Sequence, residues 1–95
     1  MRTARTTNRF QKDYAKLKKS GGKNMQKLQE IMEKLIDGEI LEPKYKDHPL
    51  QGKWKNFRDC HVENDWILIY KLDKNENNKE LITFCATDNH SNLFE

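Results

Sequence analysis

The apolar residues of this 95-residue chain change their spacing partway along it, and that change restricts the folds open to it. Before Pro43 they recur three and four positions apart, as on one face of a helix. From Trp54 onward they alternate or run together, as in strands buried on one or both faces. Phe10, Tyr14 and Leu17 mark a first helix, with Lys12, Lys16 and Lys19 projecting elsewhere and Asn8 expected as its cap. Gly21-Gly22 stops it, since glycine readily takes the left-handed geometry of a helix end. A second helix begins near Asn24 and carries Met25, Leu28, Ile31, Met32, Leu35 and Ile36 as a broad apolar stripe, ended by Gly38 and Pro43. Ahead of both helices, Arg2 to Thr7 reads as a short strand.

In the second half, Phe57 to Val62 is a mixed strand that puts Phe57, Asp59 and His61 on one face and Arg58, Cys60 and Val62 on the other. Glu63-Asn64-Asp65 is expected to be a tight turn. Trp66 to Leu72 is apolar on both faces and belongs in the centre of a sheet, and Glu80 to Ala86 follows a polar loop as the last strand. The fold expected is α+β: an N-terminal short strand and a two-helix hairpin packed on a small, mainly antiparallel sheet, all within one domain, 1–95. The helices cover one face of that sheet, so the other meets solvent or a ligand. Met25 and Met32 are core filler.

A domain of this size builds one small core with little room for a deep enclosed pocket, so a groove or surface site is expected. No apolar run approaches the roughly 20 residues that span a bilayer, and the N-terminus lacks the apolar stretch of a signal peptide; a cytoplasmic location without membrane contact is expected. Cys60 and Cys85 fit neither a disulfide scaffold nor a zinc ribbon and read as free thiols in strands. Charge is uneven. Residues 1–27 hold nine Lys/Arg against one acid, Asp13, whereas from Asp47 onward nine acids face six bases. The basic part suits a polyanion or an acidic partner protein; it would equally serve as a solvated, lysine-rich helix face.

All three histidines, His48, His61 and His90, lie in the C-terminal half. Metal-free RNA cleavage needs a base for the ribose 2′-hydroxyl, an acid for the departing 5′-oxygen, and charge stabilisation at phosphorus. Histidines near their ordinary pKa fill the first two roles, arginine or lysine the third, and an aromatic ring holds a splayed base. His48, His61, His90, Arg58, Trp66 and Phe94 make up such a set. Each also has a plainer reading: a strand or loop histidine, a core aromatic. Three histidines with Asp65 would serve zinc, but their spacing forms no compact ligand motif, and no metal or other cofactor is expected. There is no glycine-rich phosphate loop and no serine-nucleophile elbow.

The runs Tyr45-Lys46-Asp47-His48-Pro49-Leu50-Gln51-Gly52, Trp54-Lys55, Arg58-Asp59-Cys60-His61-Val62-Glu63 and Asp65-Trp66-Ile67-Leu68-Ile69-Tyr70-Lys71 closely resemble the YafQ branch of the RelE/ParE toxin superfamily, and the ending His90-Ser91-Asn92-Leu93-Phe94 resembles its C-terminal signature. The resemblance implies a RelE/ParE-like fold and the toxin of a type II toxin–antitoxin pair, a ribosome-dependent mRNA endoribonuclease neutralised by an antitoxin of the RelB/DinJ type. It implies that the toxin is monomeric alone and meets operator DNA only through the antitoxin complex. It makes His48, His61, Asp65 and His90 the catalytic set. His90 and His61 are taken as the proton-transfer pair and His48 as a phosphate or alignment contact. Trp66 and Phe94 would support substrate, Arg58 would compensate a missing phosphate clamp, and Lys12, Lys16 and Lys19 would dock on ribosomal RNA. Family members usually carry an arginine four residues before the last histidine and a glycine two before it; here Ala86 and Asp88 stand there. Loss of that arginine removes a phosphate contact, which leaves a second reading, a toxin-like binding protein that holds its antitoxin without cutting RNA.

Overall fold

The computed structural model describes residues 1–94. Strand β1 (Thr3–Thr6) leads into helix α1 (Asn8–Ser20) and helix α2 (Met25–Ile36). After a 3-10 turn at Pro43–Tyr45 come β2 (His48–Pro49), a second 3-10 turn at Gly52–Trp54, then β3 (Arg58–Glu63), β4 (Trp66–Lys74), β5 (Glu80–Asp88) and helix α3 (His90–Phe94). The five strands form one sheet in the order β1-β5-β4-β3-β2, antiparallel except where β1 runs parallel to β5. The α+β architecture read from the spacing is the one observed, with β4 central and apolar on both faces.

The helix boundaries follow local chemistry. The cap of α1 is Thr7, whose hydroxyl accepts from the Phe10 amide at 3.0 Å, one residue before the expected Asn8. Asn24 caps α2 through the Lys27 amide at 3.2 Å. Gly21 adopts φ +73° beyond α1. At the end of α2, Gly38 adopts φ +81°, and the amides of Gly38 and Glu39 return to Leu35 and Lys34, closing the last turn.

Two apolar clusters lie on opposite faces of the sheet. Beneath α1 and α2, Phe10, Leu28, Ile31 and Leu35 pack on Cys60, Val62, Trp66, Leu68, Tyr70, Ile82 and Phe84. The other face has its own smaller cluster of Ile67, Ile69, Ala86 and Leu93, with Leu50, Trp54, Phe57 and Phe94 around it. This second face is therefore partly roofed by α3 and the 50–57 segment, which the strand pattern alone did not indicate. One polar thread crosses the first core. The Thr87 amide donates to Asp13 at 3.0 Å, Arg9 pairs with the same carboxylate at 3.2 Å, and Trp66 Nε1 donates to the Thr87 hydroxyl at 2.8 Å. Asp13, the lone acid of the basic segment, is thus a buried acceptor that fastens α1 to β5. Cys60 is a buried free thiol whose pKa burial pushes up, and Cys85 is a half-buried one. Among the described residues no helix is long and apolar enough to cross a membrane.

Candidate active site

Strand pairing brings distant residues into one row on the second face. His48 stands opposite Asp59, Asp59 opposite Ile69, and Ile69 opposite Ala86. In the next row His61 stands opposite Ile67, and Ile67 opposite Asp88. The alternation that put Asp59 and His61 on one face therefore holds. His48 joins them because β2, two residues long, pairs with β3.

Asp59 is 2% exposed, an unusual place for a carboxylate. His48 Nδ1 lies 3.0 Å from its Oδ1 and 2.7 Å from the Lys46 carbonyl. Both neighbours are acceptors, so Nδ1 carries the proton, and it donates along the short contact to Lys46. Among the described residues Asp59 Oδ1 has no hydrogen-bond donor of its own. It lies beside the imidazole as a buried carboxyl group. Burial pushes the Asp59 pKa up; His48, His61 and His90 pull it back down and Asp47 reinforces the rise. Of the three imidazoles, His48 is the one in direct contact with the buried carboxylate. With Nδ1 turned to these acceptors, Nε2 is the nitrogen left for an incoming group, on a half-exposed ring.

His90 opens α3, and its ring meets Phe94 edge-on at 4.9 Å between centroids. Phe94 in turn meets Trp54, and Trp54 meets Phe57, in similar edge contacts. Three acceptors hold the start of this five-residue helix. Asp65 Oδ1 takes the His90 amide at 3.1 Å, Asn89 takes the Asn92 amide at 2.8 Å, and Asp88 takes the Asn89 amide and the Asn92 side chain. Asp65, expected as an acid–base group, is placed as an anchor for the helix that bears His90. The Asp88 carboxylate, which stands where the family usually has glycine, is engaged in the same turn.

Other expectations need correction. Trp66 faces the helix-side core with 0% exposure, its indole nitrogen bonded to Thr87 and Lys23 lying over its ring at 5.6 Å, so no base can stack on it. The alternation along β4 sends it there. Arg58 lies on the face opposite Asp59, where Asp47 (3.3 Å) and the Tyr70 hydroxyl (3.4 Å) take its guanidinium; its charge is already paired. Lys12, Lys16 and Lys19 are exposed on α1, in the layer on the far side of the sheet from the histidines. Ala86 is 1% exposed within the second apolar cluster, beside Leu93, so an arginine at this place would have to displace that packing. Asp59 was the site residue the spacing underrated. Its one signal was an acid at an inward position of a strand.

Residues 2–95 match the family described as the bacterial toxin of type II toxin–antitoxin systems, YafQ. The chain is 48% identical over 86 residues to the mRNA interferase toxin YafQ of Escherichia coli K12, covering 90% of this chain and 87% of that protein. It superposes on YafQ in the crystal structure of the E. coli DinJ–YafQ complex with a TM-score of 0.84 at 44% identity, covering both chains fully. A metal-bound toxin from Helicobacter pylori gives a TM-score of 0.84 at 37% identity over 99% of this chain and all of that one. Among the described residues here, no three His, Cys, Asp or Glu side chains converge closely enough to share an ion.

Proposed function

The chain belongs to the YafQ family of bacterial type II toxin–antitoxin toxins, and from that membership and the contact of His48 with the buried Asp59 we propose that it is an mRNA-cleaving endoribonuclease. Residues 1–95 act as a single toxin domain in the cytoplasm, on mRNA held by the ribosome, and a DinJ-like antitoxin neutralises it. Alone the toxin is a monomer, and it reaches operator DNA only within the antitoxin complex.

The observation that carries the reading is the placement of His48 Nδ1 between the Lys46 carbonyl and the buried Asp59 carboxylate. In the proposed reaction His48 Nε2 accepts the proton of the ribose 2′-hydroxyl, and the 2′-oxygen attacks the adjacent phosphorus. As the imidazole becomes charged, the Asp59 carboxylate stabilises it without moving. A protonated histidine gives its proton to the departing 5′-oxygen, leaving a 2′,3′-cyclic phosphate and a 5′-hydroxyl. His90, anchored by Asp65 and packed against Phe94, takes the acid role, and His61 contacts the phosphate between them. This division exchanges the roles that spacing and resemblance gave to His48 and His61. The change rests on which imidazole has a buried carboxylate beside its protonated nitrogen.

The test is cleavage of mRNA on programmed ribosomes by antitoxin-free protein, with the ends identified. Wild type should leave cyclic-phosphate and 5′-hydroxyl ends, and His48→Ala and His90→Ala should each remove the cut while keeping antitoxin binding. Growth arrest that persists in a His48→Ala/His90→Ala double variant would instead favour the non-cutting, toxin-like binding protein.

A further inference from the structure

Strand β2 ends after two residues, so the outer edge of β3 beyond Asp59 has no partner strand among the described residues. A cavity of about 360 Å³ opens beside that edge. Three separate parts of the chain line it. Lys27 comes from the first turn of α2, Lys44, Tyr45 and Lys46 from the first 3-10 turn and its end, and His61 and Glu63 from β3. Three lysines and one carboxylate make it net cationic; Lys44 lies over the Tyr45 ring at 5.2 Å and meets the exposed Glu42 carboxylate at 4.0 Å, a looser pairing than that of Arg58. Lys46 links the cavity to the proposed chemistry, for its carbonyl lies 2.7 Å from His48 Nδ1 and the residue lines the wall.

We propose that this cavity is an RNA subsite, in which Lys27, Lys44 and Lys46 hold the phosphate one nucleotide away from the one being cleaved. The inference rests on the endoribonuclease reading above and deepens it. A strand whose scissile phosphate lies among His48, His61 and His90 must continue past one side of His61, and the cavity is the cationic exit there. Its size, at the small end of ligand pockets, suits one nucleotide. The neighbouring arginine cannot serve, since Arg58 is paired with Asp47 on the other face. A lysine pocket gripping a flanking phosphate reads no base, so the subsite sets the register and grip of the strand and leaves sequence choice to other contacts.

The experiment uses mRNA carrying a single neutral methylphosphonate at successive positions around the cut, on programmed ribosomes, with wild type and a Lys27→Gln/Lys44→Gln/Lys46→Asn variant. Asparagine at 46 suits the left-handed backbone there, φ +50°. Neutralising one flanking phosphate should slow wild type about tenfold or more, as expected for a lost charge-assisted contact, and the variant should show no such sensitivity. Matching thermal melts establish that the variant is folded, and Lys27→Gln alone should show a partial loss of sensitivity. Equal sensitivity in both proteins, or no sensitive flanking position, overturns the subsite while leaving the enzyme reading intact. A variant that keeps the wild-type phosphate profile but no longer binds antitoxin overturns it in favour of an acidic protein segment. Wild type that cuts no mRNA refutes the enzyme reading and the subsite with it.

Discussion

Replacing Asp59 by asparagine separates two consequences of its burial that have opposite signs. The substitution keeps the shape and removes the charge 3.0 Å from His48 Nδ1. With charge centres about 4 Å apart, the attraction is about 4 kcal/mol at an effective dielectric of 20 and about 1 kcal/mol in water. The His48 side chain is 50% exposed and that of Asp59 3%, so the pair lies between these limits, at about 2 kcal/mol. If His48 becomes fully charged at the transition state, the single-turnover cleavage rate falls about thirtyfold. Stability moves the other way. The native pKa of Asp59 is raised, mainly by burial, above the unfolded value of about 3.9. Its contribution to stability is thus present below about pH 4 and lost as pH rises through the raised native pKa. Asparagine has no such loss, so the melting temperature of Asp59→Asn minus that of wild type should grow from pH 4 towards neutrality. Calorimetry across that range and ribosome-programmed cleavage are the two assays. A rate within twofold of wild type refutes the role given to the carboxylate, and a melting difference that shrinks with rising pH refutes the account of its burial.

Asp65→Ala removes the acceptor for the His90 amide, a loss of about 1 kcal/mol at a helix start, and should slow cleavage five- to tenfold, as expected of loosened α3; Asp65→Asn keeps an acceptor oxygen and should stay near wild type. If asparagine proves as damaging as alanine, the carboxylate itself moves protons. Trp66→Phe breaks the bond to Thr87 and leaves a smaller ring in the core, so scanning calorimetry should show a loss of about 1–3 kcal/mol; an unchanged melt with lost cleavage would restore Trp66 to the substrate surface. Gly38→Ala meets no atom within 4 Å but must hold φ +81°, so denaturant unfolding should read a loss of about 1 kcal/mol. Gly38→Asn should recover part of it, and equal stability of all three proteins would refute the conformational explanation.

What was readable in advance was local. Phe10, Tyr14 and Leu17, followed by two glycines, specify a helix without reference to the rest of the chain. The alternation through Phe57, Asp59 and His61 specifies a strand face in the same way. What escaped depends on partners far along the sequence. A two-residue strand at His48 exists only because β3 pairs with it. The five residues of α3 are too few to signal a helix, and one anchor, Asp65, lies 25 positions upstream. Arg58 and Trp66 had the right residue types for RNA contact, but strand parity turned both to the helix side. The family could be recognised because its runs of residues are local; the division of labour among the histidines could not, because it depends on which nitrogen faces Asp59.

The parallel pairing of β1 with β5 has a bearing on how the protein is made. Thr3 pairs with Leu81 and Thr6 with Phe84, so the first strand to leave the ribosome stays unpaired until the last has been synthesised. His90 and Phe94 follow later still, and α3 has nothing to dock on until β5 is in place. The histidines carried by β2, β3 and α3 therefore come together only after β5 has been made.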